Sequence, residues 1–146
     1  MGLRTLALWL YLLLTVPIVL FLLFDRGAAI ETTNFHFNPD VLRPGAKTRA
    51  AWTVKTLRDP DQCRGLVHRS LIDSQGQVFA FSTIDAVIHG SIGEVHTYYY
   101  PWTIPTGLAP GPAIFRRNVD RWCNPLQRWV WPMHEVHETT FTVLPP

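Results

Sequence analysis

Three groups of residues in this 146-residue chain have types and spacings that could do chemistry. Met133, His134 and His137 sit together in WPMHEVHE, and imidazole with thioether is a donor set that suits copper. The surrounding pattern reads as a strand, on which positions three apart point to opposite faces. His134 and His137 would then share an ion only across a bulge, so the three are weak candidates and no metal site is assigned. His68, His89 and His96 are scattered. Ser91 lies in HGSIG, which lacks the G-x-S-x-G spacing of a nucleophile elbow. The acidic residues occur singly, without the paired context of general acid–base work. No catalytic residue is assigned, the chain is read as a non-enzyme, and no cofactor is implied.

The second group is RRNVDRWCNPLQRWVWP, residues 116–132, with three tryptophans and four arginines. Flat rings and guanidinium groups bury large areas at small entropic cost, which is why both dominate interface hot spots. Such a platform could also stack on sugar rings, or lie on a membrane with arginines against lipid phosphates. The binding candidates are Trp122, Arg116, Arg117, Arg121 and Arg128. Trp122 stands beside a turn at Cys123-Asn124-Pro125 and is expected to be the exposed ring. Trp129 and Trp131, two apart, share a strand face and are expected in the core, with the arginines solvating its rim. Tyr98, Tyr99, Tyr100 and Trp102 form a second aromatic cluster, in which at least one ring must face outward.

The third group is the pair Cys63 and Cys123, the only cysteines. Both sit in polar, turn-like contexts (DPDQCRG and DRWCNPL), where a buried free thiol is less natural than a disulfide. A bridge requires an oxidising compartment, and the amino-terminal sequence supplies one.

Thr5 to Phe24 is twenty residues without a charge, TLALWLYLLLTVPIVLFLLF. As a helix it spans ~30 Å, the thickness of a bilayer's hydrocarbon core. It is longer than a signal-peptide apolar region, and Gly27-Ala28-Ala29 follows two charged residues, a poor cleavage context. It also lacks the polar face of a soluble core helix. The expectation is an uncleaved anchor. Arg4 and the α-amino group before it, against Arg26 after it, place the amino terminus in the cytoplasm and the rest outside. The division expected is 1–26 for the cytoplasmic amino terminus and membrane helix, 27–45 for a linker and first strand, and 46–146 for the remainder of one extracytoplasmic domain. Leaving out Arg4, Asp25 and Arg26, 11 basic and 10 acidic side chains remain of 13 and 11, a balance that gives no reason to expect nucleic acid.

Beyond residue 30 the apolar period is two, and all prolines but Pro17 lie past the span, which argues against helices. Phe35 and Phe37 alternate in TNFHFN. In 46–57, Ala50, Trp52 and Val54 take one face while Lys47, Arg49, Thr53 and Lys55 take the other. Runs 65–72 and 77–82 flank Asp73-Ser74-Gln75-Gly76, a hairpin turn in which Asp73 is a turn former and Gly76 supplies positive φ. Strands are expected at 94–100, 113–119 and 139–143, the last with Phe141 and Val143 inward. Residues 83–92 stay open between strand and turn.

Pro44-Gly45 before a strand, the Asp73–Gly76 hairpin, the run Pro105-Thr106-Gly107-Leu108-Ala109-Pro110-Gly111 and the closing Phe141-Thr142-Val143 give the chain a resemblance to the immunoglobulin-like and fibronectin-type-III-like superfold. It is also similar to small single-span membrane-anchored proteins of bacteria and their phages. That resemblance implies an all-β antiparallel sandwich behind one transmembrane helix. The cysteines fall at strand edges, so the bridge would pin loops, and Trp52 lies on an earlier strand than the tryptophan of antibody domains. The function expected is binding or structural, through contacts with an envelope protein, with the lipid bilayer as the other partner. The alternatives are a copper-handling assembly factor for an envelope enzyme and a phage-encoded protein engaging host envelope components.

Overall fold

The structure is a computed structural model that describes residues 2–25, 27–87 and 90–146, the side chain of Leu3 excepted. His89, one of the scattered histidines, lies outside the described residues, as does part of 83–92. Helix α1 (Leu3–Phe24) contains the uncharged run, and its side chains are exposed on nearly every face. By length and composition it is able to cross a membrane. Pro17 lies within it, and Thr15 Oγ1 donates to the Tyr11 carbonyl at 2.8 Å, a local adjustment typical of apolar helices.

The rest is mostly β. Strands β1 (Ile30–Asn38), β3 (Lys47–Thr56) and β6 (Val95–Thr103) form one antiparallel sheet in the order β1-β3-β6. Strands β2 (Val41–Leu42), β4 (Arg64–Ile72), β5 (Val78–Asp85), β7 (Gly111–Trp122) and β8 (Met133–Val143) form the other, ordered β2-β8-β7-β4-β5. The second sheet is mixed, which corrects the wholly antiparallel expectation: β2 runs parallel to β8. Two residues suffice there, because Thr142 N–H donates to Asp40 and Leu144 N–H to Leu42, both at 2.8 Å, while Leu42 buries its side chain. The end of the β8 edge, at Thr142 and Val143, is thereby covered.

Side chains of the two sheets meet. Phe37 and Ala50 from the first join Leu71, Phe115, Phe141 and Val143 from the second in one buried cluster. Phe37 packs edge-on against Phe115 with ring centres 5.4 Å apart, and Trp102 does the same at 5.0 Å. The expected alternation holds in β3, where Ala50 and Val54 are buried and Lys47, Arg49 and Lys55 exposed. The Asp73–Gly76 turn forms as read, with Gly76 at φ +79° and Asp73 Oδ1 accepting from the Gln75 and Gln77 N–H groups at 2.9 Å.

Several boundaries differ from the sequence reading. β6 runs through Pro101 to Thr103, which is tolerated because β6 is an edge strand with a partner on one side only among the described residues. β7 and β8 are longer than 113–119 and 139–143, since polar residues occupy their outward faces and hide the pattern. Of the open segment, residues 83–85 belong to β5. Residues 125–130 form helix α2 (Pro125–Val130), not a strand.

Candidate functional site

The tryptophan- and arginine-rich segment divides into two parts with opposite fates. Its second half sits against the exit of α1. Asn124 caps α2 by accepting from the Gln127 N–H at 2.9 Å, and Pro125 takes the first turn, where a missing N–H costs nothing. The Asn124 amide donates to the Leu22 carbonyl at 2.8 Å. Gln127, fully buried, donates through Nε2 to the Asp25 carbonyl and accepts from the Cys123 N–H at 2.7 Å. Arg58 holds the Asp25 carboxylate with two parallel bonds of 2.5 and 2.9 Å. The Cys63–Cys123 disulfide, whose Cα atoms are 4.0 Å apart, lies at this same end, one residue beyond the Arg64–Trp122 pair that closes the β4–β7 ladder. The last turn of α1 is therefore clamped from the β3–β4 loop and from α2.

This geometry corrects the assignment of the tryptophans. Trp129 and Trp131 are not a core pair: they are 80% and 54% exposed, with Val130 between them 63% exposed. The strand phase that would have put them together inside does not apply to a helix. Trp122, expected outward, is half-buried at the end of β7. Arg128 lies 5.6 Å from the centres of both the Trp122 and Trp129 rings.

The first half of the segment turns inward. Along β7 the odd positions Ala113, Phe115, Arg117, Val119 and Arg121 are all buried. Arg117 and Arg121, expected on a solvated rim, lie between the sheets, whereas Arg116 is outside and pairs with Glu138 at 2.6 Å. In cross-strand register Arg117 stands between Arg69 of β4 and His137 of β8. The Arg117 guanidinium lies 4.8 Å from the centre of the Trp52 ring, and that of Arg69 lies 5.2 Å from Trp102. Trp52 in turn stacks on Tyr100 at 4.8 Å. Burial and the nearby Arg121 charge push the Arg117 group down to about 10. Glu135 is the carboxylate of this region: Oε1 is 3.8 Å from Arg121 Nε, and Oε2 is 3.5 Å from His137 Nε2. Burial pushes its carboxyl up, but His137 and the charges of Arg121 and Arg117 outweigh this and hold it below the usual range. Beside Arg117 and Arg69 the sheets leave a cleft of about 40 Å³, walled by Phe35, Trp52, Tyr100 and Trp102 on one sheet and by Arg69, Phe115 and Arg117 on the other.

Met133, His134 and His137 are not brought together. Met133 and His137 point inward from β8, and His134 points outward, as strand geometry requires. His134 instead meets Asp120 at 2.6 Å, and His68 reaches the other oxygen of Asp120 at 3.5 Å. No group of three or more His, Cys, Asp or Glu side chains fit for a metal ion occurs among the described residues. Ser91 lies in a turn, its N–H donating to Glu94 Oε2 at 2.8 Å.

No protein-family model matches the chain, and no curated protein is significantly similar to it. Among solved structures it is similar to the C-terminal domain of wzt, with a TM-score of 0.55 and 12% identity over 82% of this chain and 76% of that one. It is similar also to Spo0M, the sporulation control protein of Bacillus subtilis, with 0.51 and 12% over 82% of this chain and 51% of that one. The β-glucosidase EmGH1 of Erythrobacter marinus gives 0.51 and 11%, with 79% of this chain covering 15% of that one. The chain thus spans about half of Spo0M and a small part of the glucosidase. At these identities the likeness concerns the fold alone.

Proposed function

We propose that this is a membrane-anchored extracytoplasmic protein with a binding or structural role, acting through protein–protein contacts and without catalysis. The two facing sheets are read as an immunoglobulin-like sandwich, with the short parallel β2 as an addition to it. The observation that carries the proposal is the clamp on α1 by Arg58, Asn124 and Gln127. A domain on a loose tether has no such clamp. A module that must present one surface at a fixed height above the bilayer gains from one. Trp129, Val130 and Trp131 fall beside the anchor's exit, the level at which tryptophan rings partition into the headgroup region. Arg4 and the α-amino group keep the amino terminus inside. The outer face of β6, with Val95 57% and Tyr99 65% exposed on an edge strand whose far side has no partner among the described residues, is then the surface offered to a neighbouring envelope protein.

A reporter enzyme that works only outside the cytoplasm, fused after Pro146, is expected to be active in cells. A photo-cross-linking residue in place of Tyr99 is expected to trap a protein neighbour in intact membranes. Release of a soluble form beginning near Ile30 overturns the anchor. Cross-links from Tyr99 to lipid alone, or to nothing, overturn the protein-contact reading.

A further inference from the structure

We propose that the cleft between the sheets is a binding site for a small oxyanion group, a carboxylate or a phosphate, held by Arg117 and Arg69 against the Trp52 and Trp102 rings. Arg117 is 7% exposed, yet no carboxylate lies within 4 Å of its guanidinium among the described residues, and its contact is the face of Trp52. Its direct cross-strand neighbour on the same inward face is Arg69, which also forms no ion pair among the described residues. Like charges placed opposite one another across a ladder repel, so the pair is a cost to the fold that an anion between them removes.

The donors point the same way. Arg69 Nε and Trp102 Nε1 are buried without an acceptor, while Arg69 Nη2 is fixed by the Ser82 carbonyl at 2.9 Å. Stacking on Trp52 and Trp102 leaves guanidinium edges, where the N–H groups project, free to meet planar or tetrahedral oxygens. Glu135 does not fill this need, since it is engaged by Arg121 and His137. Asp85, the carboxylate that does line the cleft, is exposed at its mouth. There it disfavours a ligand carrying several negative charges and selects for a single headgroup. A volume of about 40 Å³ admits a carboxylate or phosphate and leaves the remainder of its bearer outside. The proposal does not depend on membrane topology or on the Tyr99 surface.

The test uses the full chain in zwitterionic lipid nanodiscs, with thermal unfolding and calorimetric titration as readouts. Sodium acetate and sodium phosphate are compared with sodium chloride at equal ionic strength, and with glucose. The expected result is saturable stabilisation and binding by acetate, by phosphate or by both, weakened at least about tenfold in Arg117→Met and in Arg69→Gln. A response to acetate alone assigns a carboxylate, and to phosphate alone a phosphate. Equal responses to chloride, a response to glucose only, or anion binding unchanged in both variants overturns the site. If Arg117→Met does not fold, the half-exposed Arg69→Gln decides by itself.

Discussion

Glu135 carries more of this protein's interior than its position on a polar-looking strand suggests. It stands 3.8 Å from the fully buried Arg121 and 3.5 Å from His137. Replacing it by Gln keeps the shape and removes the charge, leaving Arg121 buried without a carboxylate. The expected cost is ~3 kcal/mol or more, read from denaturant unfolding of the full chain. The pH dependence has a definite sign. The folded carboxyl is held below its unfolded value, so its contribution is fully present above the unfolded pKa and is lost as pH falls through the folded one. Glu135→Gln is therefore expected to flatten the acid limb of the stability curve while lowering its plateau. The inward arginines were legible in part: Arg117 is in phase with Ala113, Phe115 and Val119, and a strict reading of that alternation puts it inside. What the alternation could not supply was the compensation, because Trp52, Tyr100 and Trp102 reach Arg117 and Arg69 from a different sheet. Expectation from composition, that arginines solvate a rim, loses to strand phase once rings are available to cover the charge.

At the scale of elements the informative failure is α2. Asn124-Pro125 followed by Gln127 has the features of a helix start: a side-chain cap, a proline in the first turn and an amide three residues past the cap. The two-residue spacing of Trp129 and Trp131 suggested a strand, and a six-residue helix is too short for the competing period to show. The strands themselves were legible wherever one face is buried and the other wet, as in β3, and were shortened wherever the outward face is charged, as in β8. The consequence of α2 is testable. Asn124→Ala removes the cap and the bond to the Leu22 carbonyl together, and is expected to cost ~1–2 kcal/mol by chemical denaturation. Trp129→Ala and Trp131→Ala are expected to leave stability within about ±0.5 kcal/mol, as for exposed sites. In bilayers containing brominated lipid, substituting those same two rings should remove tryptophan quenching beyond the share that Trp9 in the span contributes. Unchanged quenching in the double variant would place this face away from lipid.

The whole molecule is tied most heavily at one end. The Cys63–Cys123 bridge, the Arg58–Asp25 pair and the contacts of Asn124 and Gln127 to α1 all lie where the chain leaves its apolar helix, while the β4–β5 turn and the loop before β7 are held by Asp73 and Ser74. Cys63 and Cys123 are 60 residues apart in sequence, and closing a loop of that length removes unfolded-state entropy corresponding to ~4 kcal/mol. Paired Ala substitutions at both cysteines are therefore expected to lower stability by about that amount, measured by denaturant unfolding in nanodiscs. The same bond fixes where Asn124 stands, since Cys123 is its neighbour and the Cys123 N–H is bonded to Gln127. Loss of the bridge should thus loosen the clamp as well as the domain: hydrogen exchange at the Asp25, Gly27–Ile30 and Asn124–Val130 amides is expected to rise well before that of β7. Exchange rising uniformly across the domain would mean that the bridge stabilises the fold as a whole and that the anchor is held without it.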